Sequence, residues 1–175
     1  FERLDAALRM HLKELCRMCY TCVRACPAKA IKIVEGQAEV MPERCIACGN
    51  CVQVCSQGAK QSVSSISDFL RLLKLKDRVA VCLAPSFPAE FNECSAGQLV
   101  GMLRSLGCDL VCEVAFGADL VADRYRRLFM HNQGRKYIST CCPAVVAYVE
   151  KYLPEQVPAL APIVSPMIAT ARLLR

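Results

Sequence analysis

Cysteine is the residue type with the clearest chemical potential in this chain, and eight of its 14 cysteines fall within residues 16–55. They form two runs with the same Cys-x2-Cys-x2-Cys-x3-Cys spacing, namely Cys16, Cys19, Cys22 and Cys26, then Cys45, Cys48, Cys51 and Cys55. The two-residue gaps bring three sulfurs within reach of one small inorganic group, and the three-residue gap carries the fourth sulfur away from it. The two runs therefore predict iron–sulfur chemistry.

This spacing is that of bacterial two-cluster ferredoxins, in which the fourth cysteine of each run ligates the other cluster. By that rule, one 4Fe–4S cluster takes Cys16, Cys19, Cys22 and Cys55. The second 4Fe–4S cluster takes Cys45, Cys48, Cys51 and Cys26. Ser56 follows the second run where Pro27 follows the first, which predicts that one cluster is less well shielded from water.

Zinc and disulfide bonds are the alternative uses of so many cysteines. Structural zinc usually takes two separated ligand pairs or mixed cysteine and histidine sets, and residues 16–56 contain no histidine. Disulfide frameworks are typical of short secreted chains, whereas this chain has 175 residues. Two iron–sulfur clusters are therefore the favoured interpretation, with zinc and disulfides as the alternatives.

Composition and charge predict where the protein works and what it binds. Hydrophobic residues make up 54% of the chain and mean hydropathy is +0.29, but no apolar run reaches the 18 or so residues of a membrane span. We therefore expect a soluble protein. The 14 cysteines, as cluster ligands and free thiols, predict a reducing, anaerobic cytoplasm. The net charge of +6 is offset by the negative charge of thiolate-bound clusters. This predicts a redox partner protein and no nucleic-acid binding.

The elements that position the two runs are short. Leucines at helical spacing within residues 1–15 predict an amphipathic helix. Residues 16–60 are predicted to form the two-cluster ferredoxin domain, with strands over 30–34 and 38–41 joined by a turn. In a domain this small, metal coordination replaces apolar burial as the main source of stability. Residues 61–77 are predicted to be a serine-rich linker and a short helix over 68–76.

From residue 78 onward, apolar strands alternate with helices. Strands are predicted over 79–84, 110–115 and 136–140, and helices over 95–106, 118–130 and 144–152. This order favours a parallel sheet with right-handed crossovers. The predicted fold class is an α+β ferredoxin-like domain followed by part of an α/β domain over residues 78–175.

A second chemical site is predicted at Cys141-Cys142-Pro143, where the third predicted strand ends and a helix begins. Ligands of parallel α/β folds bind beyond the carboxyl ends of the strands. The positive end of the helix dipole favours a thiolate there, and hence metal binding or proton transfer. The alternative is a pair of small buried residues that close a strand.

Residues 139–145 (STCCPAV) resemble the first of three signature motifs of iron-iron hydrogenases, TSCCPxW. Ala84-Pro85-Ser86 and the segments 116–119, 150–155 and 165–167 resemble family segments in the same order. The resemblance implies that Cys142 ligates the 4Fe–4S part of the catalytic H-cluster and that Cys141 is its proton relay. It also implies that Ala84, Pro85 and Ser86 line the cavity of that cofactor.

The chain departs from the family motif in ways that carry their own predictions. Val145 replaces the usual tryptophan and the first two motif residues are swapped, which favours divergent, often sensory, branches. The family's second and third motifs supply three more H-cluster cysteines and lie further downstream. The remaining cysteines do not match those motifs and are predicted to be core or loop residues: Cys82, Cys94, Cys108 and Cys112. We therefore expect the chain alone to be inactive as an enzyme.

The predicted function is electron transfer by the amino-terminal part of an iron-iron hydrogenase-like protein. Its two clusters would relay electrons between a partner protein and an H-cluster site, with dihydrogen and protons as the substrates of the full-length protein. One alternative is a hydrogen-sensing regulatory protein. Another is a non-catalytic iron–sulfur assembly factor, against which the presence of both Cys141 and Cys142 argues.

Overall fold

The computed structural model describes residues 10–75 and 78–175. The first half contains, in chain order, β1 (Met10–His11), a 3-10 helix (Lys13–Leu15), α1 (Thr21–Ala25), β2 (Ile31–Val34), β3 (Gln37–Val40), α2 (Asn50–Gln53), β4 (Lys60–Gln61) and α3 (Ile66–Lys74). The second half contains β5 (Ala80–Leu83), α4 (Phe87–Glu90), α5 (Ala96–Ser105), β6 (Leu110–Glu113), α6 (Val114–His131), α7 (Pro143–Tyr152), a 3-10 helix (Pro154–Ala159) and α8 (Pro166–Leu174).

The chain divides into two compact units. The cysteine-rich unit comprises the residues before Ile66 together with Cys142–Leu160, and therefore includes α7. The α/β unit comprises Ile66–Cys141 and Ala161–Arg175. The division falls between the two adjacent cysteines of the predicted second site.

Two small antiparallel sheets build the cysteine-rich unit. β1 pairs with β4, and β2 pairs with β3 in a hairpin whose register places Ile31 opposite Val40. Glu35 and Gly36 form the two-residue turn, both with positive φ (48° and 75°), as the common hairpin turn requires. The predicted hairpin is therefore confirmed.

The two cysteine runs fold as a structural repeat offset by 29 residues, the distance from Cys16 to Cys45. Three pairs of equivalent residues share the left-handed backbone conformation: Met18 and Ala47, Tyr20 and Gly49, and Lys29 and Gly58. A left-handed residue reverses the chain locally. Those next to the second cysteine of each run therefore turn its loop so that several sulfurs border the same space.

The apolar core of the cysteine-rich unit is small. One cluster of buried residues contains Cys22, Ile31 and Ala38, and another contains Ala28, Ala30 and Ile46. Alanine and cysteine side chains bury little apolar area, and a domain of this size gains little from burial. The small core agrees with the expectation that metal coordination is its main source of stability.

In the α/β unit, β5 and β6 form a parallel pair with Ala80 opposite Leu110 and Leu83 opposite Glu113. α4 and α5 connect them. Ser95 caps α5 through a capping box, in which its side chain accepts from the Gln98 amide and the Gln98 side chain accepts from the Ser95 amide, an arrangement that satisfies two exposed donors. α6 packs against α8. The mixed α+β and parallel α/β fold class is confirmed.

Two element predictions differ from the structure. The third strand over 136–140 is wrong, because in the described chain the parallel sheet has two strands. The main chain there bonds elsewhere, with the Ala161 amide donating to the Ile138 carbonyl at 2.9 Å. Most of the helix predicted over 1–15 lies outside the described residues, and its described part is β1 and a 3-10 helix instead.

The contact between α6 and α8 predicts the effect of a single methyl group. A Cβ atom at Gly117 would overlap the Thr170 hydroxyl and the Pro166 carbonyl oxygen, whereas a Cβ at Gly101 in α5 meets nothing within 4 Å. We expect Gly117→Ala to lower the free energy of unfolding by about 1–3 kcal/mol through overpacking. Gly101→Ala should raise it by up to about 1 kcal/mol through helix propensity. Urea unfolding measures both, and equal effects would contradict the close helix contact.

Candidate metal centres

The first cavity of the cysteine-rich unit contains four cysteines that come from both runs. Cys16, Cys19 and Cys22 of the first run and Cys55 of the second line a cavity of about 390 Å³ that is partly open to solvent. Apolar side chains such as Ile33 and Ala38 complete much of its wall. The structure thus brings together the four residues predicted for the first cluster.

The second cavity has the complementary set. Cys45, Cys48 and Cys51 of the second run line it together with Cys26 of the first, in a volume of about 340 Å³. Its remaining wall is largely apolar and includes Ile31, Val40 and Ile46 together with Pro27. Each cavity therefore takes three sulfurs from one run and the fourth from the other.

Backbone and hydroxyl donors surround several of the sulfurs. The Ala30 amide donates to Cys26 Sγ at 3.3 Å, and the Ala47 amide donates to Cys45 Sγ at 3.4 Å. Hydrogen bonds from the Thr21 side chain and amide lower the pKa of the exposed Cys19 thiol. Such donors stabilise negative charge on sulfur, which a metal-bound thiolate carries.

Burial acts in the opposite direction at one cysteine of each run. It raises the pKa of the Cys22 thiol and of the Cys51 thiol, and in both cases the charge of Lys60 opposes the rise. A buried thiol must lose its proton before it binds metal. Metal binding and folding of this unit are therefore coupled to proton release.

The donor sets fit a 4Fe–4S cluster rather than a single ion. All 14 cysteines are free thiols, and within residues 10–75 and 78–175 no three Cys, His, Asp or Glu side chains converge on one ion-sized site. A cube with four irons bonds each sulfur at a different corner, so its ligands surround a volume instead of meeting at a point. Four sulfurs around an apolar cavity with amide donors provide this arrangement.

Helix α7 docks on the loops that carry the second cavity's cysteines. Lys151 Nζ donates to the carbonyl oxygens of Pro42 (2.9 Å) and Cys45 (2.6 Å). The Tyr152 hydroxyl lies 2.8 Å from the carbonyl oxygens of both Ala28 and Arg44. These bonds attach the carboxyl end of α7 to residues from both halves of the repeat.

Cys142 is the N-cap of α7, and both Cys141 and Cys142 are exposed. The alternative of two small buried residues closing a strand is therefore wrong. The chain before them is held within the α/β unit. The Tyr125 hydroxyl accepts from the Thr140 amide at 3.2 Å, and the Thr140 hydroxyl lies 3.0 Å from the Ala161 carbonyl oxygen. These hydrogen bonds hold Thr140, the residue before Cys141, in place.

The three other candidate residues, Ala84, Pro85 and Ser86, are exposed and follow the carboxyl end of β5. This is the edge at which parallel sheets bind ligands. Neither of the two cavities is lined by these residues or by the Cys141-Cys142 pair. The structure therefore places residues 84–86 at a suitable edge without bringing them into a described cavity.

The four remaining cysteines lie in the α/β unit: Cys108 and Cys94 take core and loop positions as predicted, and Cys82 and Cys112 are half-buried in strands. Cys82 and Cys112 face each other in register across β5 and β6. Cys108 is buried, and Cys94 Sγ lies 3.7 Å from the Phe91 carbonyl oxygen in a loop.

Sequence reasoning missed the buried Lys60 and the docking residues Lys151 and Tyr152. The repeat contained the signal for Lys60, because that residue stands 29 positions after Ile31. The docking pair gave no signal, since its partners are main-chain carbonyls more than 100 residues away.

Two cavities with crossed sets of four cysteines define an iron–sulfur protein of the electron-transfer class. Comparison with known families agrees. Residues 10–56 match the family described as 4Fe-4S dicluster domain. Residues 77–175 match the family described as iron only hydrogenase large subunit, C-terminal domain. The chain belongs to this iron-only hydrogenase family, carries two 4Fe–4S clusters and transfers electrons.

Individual relatives match parts of the chain. The chain is 48% identical to a subunit of the ion-translocating oxidoreductase complex of Methanosarcina acetivorans, over 33% of this chain and 25% of the relative. It is 28% identical to NADP-reducing hydrogenase subunit HndD of Solidesulfovibrio fructosivorans, over 63% of this chain and 22% of the relative. It is 26% identical to nuclear prelamin A recognition factor of Xenopus laevis, over 78% of this chain and 33% of the relative. The chain thus spans about a quarter to a third of these relatives. Proteins of this electron-transfer class work with redox partners.

No helix within residues 10–75 and 78–175 combines the length and the apolar character needed to cross a bilayer.

The Tyr125 contact predicts a local effect near Cys141. Tyr125→Phe removes the acceptor of the Thr140 amide, so the free energy of unfolding should fall by about 1 kcal/mol and that amide should exchange hydrogen faster. Tyr137→Phe is the control, because the Tyr137 hydroxyl has no hydrogen-bond partner among the described residues. Hydrogen exchange with thermal unfolding measures both, and unchanged exchange at Thr140 in Tyr125→Phe would refute the anchoring role.

The docking of α7 predicts a second pair of tyrosine variants. Tyr152→Phe removes the hydroxyl whose single hydrogen can bond either the Ala28 or the Arg44 carbonyl oxygen, and should destabilise the cysteine-rich unit by about 1 kcal/mol. Tyr148 stacks on Tyr152 with ring centroids 5.1 Å apart, but its hydroxyl makes no bond in the described part, so Tyr148→Phe should be neutral. Denaturant unfolding followed by visible cluster absorbance tests this, and equal midpoints would show that the hydroxyl contributes nothing.

Proposed function

We propose that the eight cysteines facing the two cavities are the cluster ligands and that the clusters deliver electrons to or from an H-cluster site in the complete protein. The observation that carries the proposal is the crossed division of the two runs between the cavities. In this assignment Cys16, Cys19, Cys22 and Cys55 hold one cluster, and Cys26, Cys45, Cys48 and Cys51 hold the other. The clusters supply reversible one-electron transfer when bound.

The chain's own residues contribute three things to that transfer. The cysteine sulfurs bind, the apolar side chains around them exclude water, and the amides of Ala30 and Ala47 donate to sulfur. Hydrogen bonding and solvent exposure are the means by which proteins set the potentials of such clusters. These features are those of an electron-transfer site with an adjusted reduction potential rather than those of an iron-storage site.

Helix α7 supports a route toward the second site. Its N-cap is Cys142, the proposed H-cluster ligand, and its other end is bonded to the carbonyl of Cys45, a proposed ligand of the second cluster. Ten residues of α-helix span about 15 Å. Within the cysteine-rich unit, this helix fixes the spacing between the second cluster and Cys142.

Cys141 is proposed to hold and pass protons in the complete protein, where dihydrogen and protons are the proposed substrates. Its exposed thiol and the anchoring of the preceding residue by Tyr125 support this role. Ala84, Pro85 and Ser86 are proposed to line the same cofactor's cavity, supported by their place after β5. The proposed setting is the cytoplasm, with a protein redox partner.

A hydrogen-sensing protein is the second candidate. Val145 favours it, because this residue stands where the family motif has tryptophan, and its side chain is 40% exposed on α7. In a sensor the same clusters would report the redox state of the site to another domain. Measurement of hydrogen turnover by the complete protein distinguishes the two, since an enzyme sustains turnover and a sensor does not.

The ligand assignment predicts which cluster each cysteine supports. The anaerobically reconstituted chain should bind about eight irons, as two four-iron clusters require. Cys55→Ser should impair the cluster of the first run, and Cys26→Ser that of the second, because each supplies the fourth sulfur of the opposite set. Iron analysis and electron paramagnetic resonance of the reduced protein measure this.

Cys94→Ser is the control for that experiment, because Cys94 lies in a loop of the other unit and should be dispensable for iron binding. Bound zinc, or damage by Cys55→Ser only to the cluster of Cys45, Cys48 and Cys51, would overturn the crossed assignment.

A further inference from the structure

Lys60 is a buried charged residue beside the first cavity. Its relative exposure is 4%, and it is the one charged side chain in the buried class among the described residues. Burying an ammonium group is unfavourable unless the charge is hydrogen-bonded and paired. Lys60 Nζ donates to the Ala38 carbonyl oxygen, but the ion pairs in the described part of the chain all involve other residues. The negative charge that would pair with it must come from another source.

The position of Lys60 identifies that source as sulfur. Lys60 lines the first cavity together with Cys22 and Cys55. Its charge also acts on the thiols of Cys22 and Cys51, lowering the pKa of both against the effect of burial. The positive charge therefore lies next to the thiolates of one proposed cluster and within electrostatic reach of the other.

The structural repeat shows that the fold does not require a lysine here. In the first half of the repeat the equivalent residue is Ile31, 29 positions earlier. Ile31 is 7% exposed and belongs to the apolar core. Ile31 lines the second cavity, as Lys60 lines the first. The two cavities are thus matched in their cysteines and differ in charge at two equivalent wall positions, the exposed Arg17 against Ile46 and the buried Lys60 against Ile31.

We propose that Lys60 is a redox-tuning residue that raises the reduction potential of the cluster held by Cys16, Cys19, Cys22 and Cys55. The inference rests on the proposed function, because it takes the two cavities as cluster sites. A cluster becomes one charge more negative when it accepts an electron. A buried ammonium next to it stabilises the reduced form more than the oxidised form, since Coulomb interactions are strong where water is excluded.

The test is a redox titration of the anaerobically reconstituted chain with dithionite as the electron donor, followed by electron paramagnetic resonance. Lys60→Ile gives the second half of the repeat the isoleucine that the first half has at the equivalent position, Ile31. We expect the ratio of reduced to oxidised first cluster at a fixed potential to fall at least tenfold, which for a one-electron couple is a shift of about 59 mV to lower potential. The second cluster should shift less.

Lys32→Ile is the matched control, because it removes the same charge from an exposed position of β2 in the same unit. Water and salt screen a charge there, so its potentials should stay near those of the unchanged protein. Lys60→Arg keeps the positive charge and should also retain the potential. Equal shifts in Lys60→Ile and Lys32→Ile would overturn the proposal, since net charge alone would then explain them.

Lys60→Gln provides a second neutral variant that can still donate to the Ala38 carbonyl. If the unchanged chain binds both clusters and the two neutral variants keep its potentials, the tuning role fails and the proposed function stands. If neither neutral variant assembles the first cluster, Lys60 is needed for assembly and the tuning role is wrong. If the unchanged chain binds no cluster, the proposed function fails, and with it the role of Lys60.

Discussion

The cysteine-rich unit depends on one constraint, that each of its two cavities must draw sulfur from both halves of the repeat. Cys55 reaches the first cavity and Cys26 reaches the second. Neither half supplies all four cysteines of a cavity, so both runs must be folded before either cavity is complete. Apolar packing contributes little to stability, because groups of buried side chains such as Cys22, Ile31 and Ala38 are small. The crossing of the chain between the two cavities therefore supplies the cooperativity that a large apolar core supplies in other proteins.

Helix α7 extends that constraint to a distant part of the sequence. In the sequence it lies between the two segments of the α/β unit, but it packs with the cysteine-rich unit through Lys151 and Tyr152. The division of the chain at Cys141 and Cys142 assigns the two adjacent thiols to different units.

Local patterns in the sequence predicted local structure well. The spacing of the cysteines predicted which four face each cavity, and the alternation of apolar runs predicted β5, β6 and the helices around them. The strand over 136–140 failed because strand pairing depends on a free neighbour, and the main chain there bonds to Ala161 instead. Lys151 and Tyr152 escaped prediction for a related reason, since each acts on carbonyl groups that only the folded chain brings near. Lys60 was missed although the 29-residue repeat places it at the position of Ile31.

The left-handed residues of the repeat make its two halves unequal. The second half uses glycine at two of the three shared positions, Gly49 and Gly58, where the first half uses Tyr20 and Lys29. A residue with a Cβ atom in this conformation costs roughly 1–2 kcal/mol that glycine does not. The backbone of the first half of the repeat is therefore more strained than that of the second half. After loss of iron, we expect the first half to leave this conformation before the second half does.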